Sequence, residues 1–217
     1  MNPHWEAVSS AMRRLLYDLS ELPFMGRFYL AGGTALALQF GHRRSLDLDF
    51  FSEIDRVRQV TRTEIGDALL EWPDCRLEQE PHDGAIEFDI SGIRVSFFSY
   101  EYPLLVHPDT VYRLKLAAPL DIGLMKLDAL GTRAARKDFV DLFFVAHHLS
   151  LDELLRQGAH KYTYVRDFAV MSIRNLTYFD NADRFPDVDM IQIIEWQEIR
   201  SFFISEARRL AREWFEK

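Results

Sequence analysis

Two aspartates alternate with apolar residues in the segment 46–51, Leu-Asp-Leu-Asp-Phe-Phe. A period of two is typical of a β-strand, so the segment predicts a strand with Asp47 and Asp49 on one face. Carboxylate oxygens are the ligands that hard divalent cations such as Mg²⁺ prefer. An alternating acidic strand can also be a solvated edge, but acids without partners beside Phe50 and Phe51 would be costly to bury. The pattern therefore favours a functional pair.

A glycine turn precedes this strand. Gly32, Gly33 and Thr34 follow the short apolar run 28–31, and we predict a strand, a tight turn and a helix that runs to about Phe40. Two glycines allow the backbone to approach a ligand, and a helix start offers unpaired N–H groups that suit a phosphate. Taken alone, the triplet can be only a helix-start turn. Combined with the aspartates, it indicates a site for a metal-bound polyphosphate.

Basic residues accompany both motifs. Lys126, Arg133 and Lys137 would lie within about 20° of the same direction if one helix continued through them. Such a stripe is either a solvated face or a contact surface for a triphosphate. The segment 42–44, His-Arg-Arg, lies directly before the acidic strand. It would either hold a phosphate of an acceptor or form a polar loop, and the sequence favours neither interpretation.

The elements that position these residues change type along the chain. Helices are predicted over 4–21 and 56–71, and strands over 76–80, 85–90 and 93–99. If Ser91-Gly92 is a two-residue turn, the last two strands form a hairpin in which Ile90 faces Ile93, Asp89 faces Arg94 and Glu87 faces Ser96. The segment 100–120 is predicted to connect this half to a second, helical half.

The second half begins at Asp121, which follows Pro119 as a helix N-cap. Apolar spacings predict helices over 122–134, 137–148, 151–158, 163–177 and 189–216. We therefore expect an α+β protein with an αβ core at 1–118 and a helical region at 119–217 that completes the site and packs on the core.

Composition excludes several classes of protein. The 217 residues contain 48% hydrophobic side chains and a single cysteine, Cys75, which excludes disorder, an intramolecular disulfide and a paired-cysteine zinc site. The first residues lack the apolar region of a signal peptide, and no apolar run approaches the ~18 residues of a membrane span. These features predict a cytoplasmic protein without a membrane partner.

The formal charge of −8 would by itself argue against binding of nucleic acid. Six of the eight excess negative charges, however, belong to residues 51–118, which carry seven basic and thirteen acidic side chains. The segments that carry the motifs are neutral. The net charge therefore does not exclude RNA as a ligand.

The motifs together resemble the AbiEii/AbiGii-type nucleotidyltransferase toxins. The resemblance covers about residues 28–148 and rests on three stretches, which are 32–36 (Gly-Gly-Thr-Ala-Leu), 41–50 (Gly-His-Arg-Arg-Ser-Leu-Asp-Leu-Asp-Phe) and 125–142, with Met125-Lys126-Leu127 and Lys137-Asp138-Phe139-Val140-Asp141-Leu142. The segment 178–182, Tyr-Phe-Asp-Asn-Ala, is similar to the C-terminal part of one branch of the family.

The resemblance implies a nucleotidyltransferase-like mixed β-sheet with flanking helices and a transfer of NMP from an NTP to an acceptor hydroxyl. It also implies a toxin of a toxin–antitoxin or phage-defence pair, with a cognate antitoxin as partner and RNA, at the 3′ end of tRNA, as the acceptor. Residue by residue, Asp47 and Asp49 would bind Mg²⁺, Lys126 would contact the triphosphate, and Asp138 would be a catalytic carboxylate at the family's later acidic position. Residues that would bind the nucleotide are Gly32, Gly33, Thr34 and Ser45.

One position departs from the wider superfamily. A third carboxylate is expected on the strand that carries Ser96, and Glu87, Asp89, Asp138 or Asp141 would have to replace it. Two alternatives therefore stay open. The acidic segment that includes Glu87 would suit nucleotidyl transfer to a small cationic acceptor, and Ser96 would suit a degenerate nucleotide-binding or partner-binding module without catalysis.

Overall fold

The computed structural model describes residues 2–215. The chain divides into two compact units, Met1–Ala118 and Pro119–Lys217. The first unit contains a β-sheet with three α-helices, and the second contains α-helices without a strand in its described part.

The sheet of the first unit has seven strands in the order β3-β4-β5-β2-β1-β7-β6. The pairs β2/β5 and β1/β7 are parallel, and the remaining pairs are antiparallel. This mixed sheet confirms the predicted α+β class. The strands are β1 Tyr29–Leu30, β2 Asp47–Ser52, β3 Cys75–Leu77, β4 Ala85–Ile90, β5 Ile93–Ser99, β6 Asp109–Val111 and β7 Leu114–Leu116.

The helices of this unit are α1 Ser10–Ser20, α2 Gly32–Phe40 and α3 Gln59–Leu69. Ser9 caps α1 by accepting a hydrogen bond from the Met12 N–H at 3.1 Å. The predicted helix over 4–21 is interrupted at residues 8 and 9, because residues 5–7 form a separate 3₁₀ turn.

Strand β2 has the predicted two faces. Leu48 and Phe50 are fully buried on its core face. The Phe50 ring stacks on the ring of Phe97 in β5 at a centroid distance of 5.3 Å. This burial anchors the strand and leaves Asp47 and Asp49 on the opposite face.

The β4-β5 hairpin has the register that the sequence predicts. Ile90 pairs with Ile93, Asp89 with Arg94 and Glu87 with Ser96. Ser91 and Gly92 both have positive φ, as a two-residue turn of this kind requires.

The segment 100–120, predicted to connect the two halves, contains the β6-β7 hairpin, which was not predicted. Each of its strands has only three residues, and its turn includes Tyr112 at φ 54°. A tyrosine rarely adopts this conformation, so the usual Gly or Asn of such a turn is missing from the sequence. The hairpin extends the sheet, since β7 pairs with β1.

The second unit contains five α-helices in its described residues, and none of the described helices is long and apolar enough to cross a membrane. The predicted helix over 163–177 begins only at Phe168, because Asp167 is left-handed at φ 56°. The predicted helix over 189–216 begins at Trp196, and residue 216 lies outside the described residues. The helices are α4 Pro119–Thr132, α5 Arg136–Ala146, α6 Leu151–Lys161, α7 Phe168–Asn175 and α8 Trp196–Phe215.

The continuous helix that a basic stripe would need is not formed. Helix α4 ends at Thr132, Ala134 has φ 43°, and Ala135 is extended before α5 begins. Lys126 is buried in this unit. Lys126, Arg133 and Lys137 therefore do not form a stripe on one continuous helix, as the prediction required.

Candidate active site

The two strand aspartates lie side by side on the polar face of the sheet. In the parallel pairing of β2 with β5, Asp47 is opposite Arg94 and Asp49 is opposite Ser96. The Asp47 side chain is 15% exposed, and its Oδ2 atom lies 3.2 Å from Nη2 of Arg94. Two carboxylates on one face, with the first paired to a mostly solvent-accessible cation, form an anionic site that a divalent metal can enter.

The glycine turn lies against the second aspartate. Gly32 is left-handed at φ 63°, and a Cβ atom there would stand 3.3 Å from Oδ2 of Asp49. The Ala31 N–H also donates to the Asp49 carbonyl oxygen at 3.0 Å. Helix α2 starts at this point, so its first N–H groups and Gly33 lie next to the carboxylate strand.

Thr34 and Ser45 connect the start of α2 to the start of β2. Both side chains are buried, and their hydroxyl oxygens lie 2.7 Å apart. Thr34 also donates to the Asp47 carbonyl, and Ser45 donates to Oδ1 of Asp47 at 3.4 Å. These bonds hold the helix start in register with the aspartates. A direct contact of either hydroxyl with a nucleotide stays a prediction.

On the polar face of the β4-β5 hairpin, side chains form two rows across the strands, one in line with Asp49 and the other in line with Asp47. Ser96 is opposite both Asp49 and Glu87, and its hydroxyl donates to Oε2 of Glu87 at 3.3 Å. In the other row Asp89 is opposite Arg94 and lies 3.4 Å from Arg76. Glu87 therefore shares the row of Asp49. Within residues 2–215 no group of three or more His, Cys, Asp or Glu side chains is arranged to hold a metal.

The second unit holds a buried cluster of charged residues. Nζ of Lys126 lies 2.9 Å from Oδ1 of Asp138 and 2.7 Å from Oδ2 of Asp141. Arg133 forms a bidentate pair with Asp138, in which Nε donates to Oδ2 and Nη2 donates to Oδ1, each at 2.8 Å. The Ala135 N–H donates to the same carboxylate at 3.2 Å, so Asp138 also caps the start of α5.

These cations control the ionisation of Asp138. Burial alone would raise the pKa of Asp138. The charge of Lys126 and the hydrogen bonds from Arg133 outweigh that effect and hold the pKa at about 2. Asp138 is therefore an anion that fixes Lys126, and a weak base at neutral pH.

Within each unit the structure brings the predicted residues together. Gly32, Gly33, Thr34, Ser45, Asp47 and Asp49 are neighbours in the first unit, and Lys126, Asp138 and Asp141 are neighbours in the second. In the segment 42–44 only Arg44 is exposed, because His42 and Arg43 are buried. A contact with an acceptor phosphate from this segment would thus involve Arg44.

The contacts of two residues of the site were not predicted from the sequence. Arg94 was assigned to the hairpin, but the β2/β5 pairing that places it beside Asp47 was not predicted. Arg133 was assigned to a stripe, although its partner is Asp138. Cys75 is not part of the site, and burial together with the charge of Asp89 raises the pKa of its thiol.

Two comparisons with known sequences match nearly the whole chain. A family model described as the nucleotidyl transferase AbiEii toxin of a type IV toxin–antitoxin system matches residues 14–216. The uncharacterized protein aq_aa25 of Aquifex aeolicus (strain VF5) is 33% identical over 210 residues, which are 94% of this chain and 96% of that protein.

Two solved structures share the fold at low identity. The nucleotidyltransferase toxin MenT4 of Mycobacterium tuberculosis H37Rv is 17% identical with a TM-score of 0.64, over 93% of this chain and 85% of that chain. JHP933 of Helicobacter pylori is 18% identical with a TM-score of 0.50, over 93% of this chain and 89% of that chain. The match of the family model over nearly the whole sequence shows that the chain belongs to the AbiEii nucleotidyl transferase toxin family.

Proposed function

We propose that the protein is a toxin that transfers NMP from an NTP to a hydroxyl of RNA, with the 3′ end of tRNA as the acceptor. The observation that carries the proposal is the position of Asp47 and Asp49 on one strand face beside the left-handed Gly32 at the start of α2. A cognate antitoxin as partner and a cytoplasmic location belong to the same proposal.

Mg²⁺ fits the residues of this site. Asp47 and Asp49 offer hard oxygen ligands, and the absence of a side chain on Gly32 leaves space next to Asp49. Mg²⁺ in nucleotide enzymes is commonly held by one or two carboxylates together with phosphate oxygens of the substrate, so a third acidic ligand is not required. When bound, the metal would neutralise negative charge on the phosphates.

The chain's own groups would bind and orient the reactants. Backbone N–H groups of Gly32 and Gly33 would bind phosphate oxygens at the positive end of α2. A contact of Lys126 with the triphosphate stays a prediction, because Lys126 lies in the second unit, where its ammonium group is paired with Asp138 and Asp141. In the transfer the acceptor oxygen forms a bond to the α-phosphorus, the bond to pyrophosphate breaks, and the hydroxyl proton leaves to a base.

We propose Glu87 as the carboxylate that takes this proton. It shares the row of Asp49 and is oriented by the Ser96 hydroxyl. Asp138, with a pKa of about 2, is too weak a base for the task at neutral pH. Glu87→Gln should therefore reduce turnover and leave the affinity for NTP unchanged. Asp89→Asn, in the neighbouring row, is the matched control and should keep its activity.

The test of the proposed function is incubation of the purified protein with each labelled triphosphate, total tRNA and Mg²⁺. We expect one or more of the labels to enter tRNA, and we expect Asp47→Ala to abolish the transfer. Asp109→Ala, which removes an exposed acid from strand β6 of the same unit, should transfer label normally. Equal labelling by the wild type and Asp47→Ala would refute the metal site.

A further inference from the structure

A cleft of about 520 Å³ lies within the second unit, between the end of α4 and the residues at and after the end of α7. Gly131 and Thr132 of α4 line one side, and Arg174, Asn175, Tyr178 and Asn181 line the other. This cleft includes two residues of the 178–182 segment, to which the proposed reaction assigns no role.

The polar groups of the cleft offer donors and acceptors to a ligand. The side-chain amide of Asn175 is only partly buried and makes no hydrogen bond within residues 2–215. Gly131 allows the Asn175 amide to lie close to the end of α4, because a Cβ atom at residue 131 would stand 3.1 Å from Nδ2 of Asn175.

An aromatic ring and a cation stand at the same cleft. The side chain of Tyr178 is exposed, with 51% of its surface accessible. Arg174 is exposed as well and forms no ion pair in the part of the chain that the structure describes. A planar ring, an amide edge and an unpaired guanidinium form the set of groups by which proteins bind single-stranded bases.

The cleft is connected to the charged cluster of the same unit. The Nδ2 group of Asn181 donates to the carbonyl oxygen of Arg133 at 3.2 Å, and the Arg133 side chain binds Asp138. A ligand in the cleft would therefore lie next to the residues that hold Lys126.

We infer that this cleft binds an unpaired base of the RNA acceptor, with the base stacked on Tyr178 and its edge hydrogen-bonded by Asn175. The inference rests on the proposed function for the identity of the ligand as the acceptor. Arg174 binds the neighbouring phosphate. Because double-stranded RNA keeps its bases stacked, the cleft selects a single-stranded end.

The test is fluorescence anisotropy of a labelled single-stranded RNA of about 12 nucleotides, a length in the range that single-strand binding sites cover. Tyr178→Ala should weaken binding about tenfold, the size expected for loss of one stacked base. Tyr178→Phe keeps the ring and should bind like the wild type. Tyr164→Ala is the matched control, because Tyr164 is 94% exposed in the same unit and lies outside the cleft.

Asn175→Ala adds a second measurement. Oligomers of A, C and U should bind the wild type with different affinities, and the difference should shrink in Asn175→Ala. Equal binding of single-stranded RNA by the wild type and Tyr178→Ala would overturn the inference. Equal weakening by Tyr178→Ala and Tyr164→Ala would overturn it as well.

Failure of the inference and failure of the proposed function give different results. If no label enters tRNA but RNA binding depends on Tyr178, the proposed transfer fails and the RNA cleft stands. If label enters tRNA and Tyr178→Ala changes neither the KM for tRNA nor the binding of RNA, the transfer stands and the cleft inference fails.

Discussion

The carboxylate of Asp49 lies directly beside Gly32, with Oδ2 only 3.3 Å from the point where a Cβ atom of residue 32 would stand. The backbone of Gly32 is also left-handed, so two independent constraints disfavour a side chain at this position. This close approach brings the start of a helix, which suits phosphate, next to a carboxylate, which suits a metal.

Gly32→Ala should therefore reduce activity through the contact with Asp49 and reduce stability through the left-handed backbone. The added methyl group would displace the Asp49 carboxylate by a few tenths of an ångström, so the loss in rate should stay below the about 10²-fold that a displacement of about 1 Å can cost. The left-handed backbone should cost about 1–2 kcal/mol of unfolding free energy. Nucleotide transfer to tRNA and urea unfolding measure the two effects separately.

Gly92→Ala is the control for this prediction. Gly92 also has positive φ, at 81°, but no atom lies within 4 Å of the point where its Cβ atom would stand, so the substitution should cost stability alone. If Gly92→Ala and Gly32→Ala lost the same fraction of activity, the loss would come from backbone strain and the contact with Asp49 would be irrelevant.

Thr34→Val should destabilise the first unit. The substitution keeps the shape of the side chain but removes a buried hydroxyl that contacts Ser45 and the Asp47 carbonyl. Loss of such a buried partner costs about 1–3 kcal/mol, which thermal or urea unfolding would detect. Thr34→Ser keeps the hydroxyl and should be close to the wild type. A fully stable Thr34→Val protein would contradict the structural role.

The faces of β2 and the register of the β4-β5 hairpin could be predicted because they depend on local rules. Alternation with period two determines that Leu48 and Phe50 are buried opposite Asp47 and Asp49. A two-residue turn at Ser91-Gly92 fixes every pair of the hairpin once it is identified.

Contacts between residues that are far apart in the sequence could not be predicted in the same way. Arg94 lies beside Asp47 only because β5 pairs in parallel with β2, across a separation of 47 residues. The break between α4 and α5 agrees with the separate helices predicted over 122–134 and 137–148, but the left-handed Ala134 within it is a conformation for which alanine has no preference. The bidentate pair of Arg133 with Asp138 was not predicted.

Arg94→Gln should change the Mg²⁺ requirement of the proposed transfer. Arg94 neutralises Asp47 at 3.2 Å, so it competes with a divalent cation for the same carboxylate. Its removal should lower the Mg²⁺ concentration needed for half-maximal transfer several-fold. Arg76→Gln removes a cation that pairs with Asp89 and should leave the requirement unchanged. A higher Mg²⁺ requirement in Arg94→Gln would contradict competition and would point to a contact of Arg94 with the nucleotide.

The stability of the second unit should fall in acid because of Asp138. Its pKa in the folded protein, about 2, lies below the ordinary value of 3.8, so the folded state binds the proton more weakly than the unfolded state. The resulting stabilisation of about 2 kcal/mol is present in full above the ordinary pKa and is lost as the pH falls through about 2.

Urea unfolding of the wild type and Asp138→Asn over this pH range measures that contribution. The difference in unfolding free energy between the two proteins should be largest above about pH 4 and should shrink as the pH approaches 2. Lys126→Met should remove much of the pH dependence and destabilise the unit more strongly, because it leaves Asp138 and Asp141 buried without their shared ammonium partner. A wild-type advantage that stayed constant down to pH 2 would show that the cations do not hold Asp138 ionised.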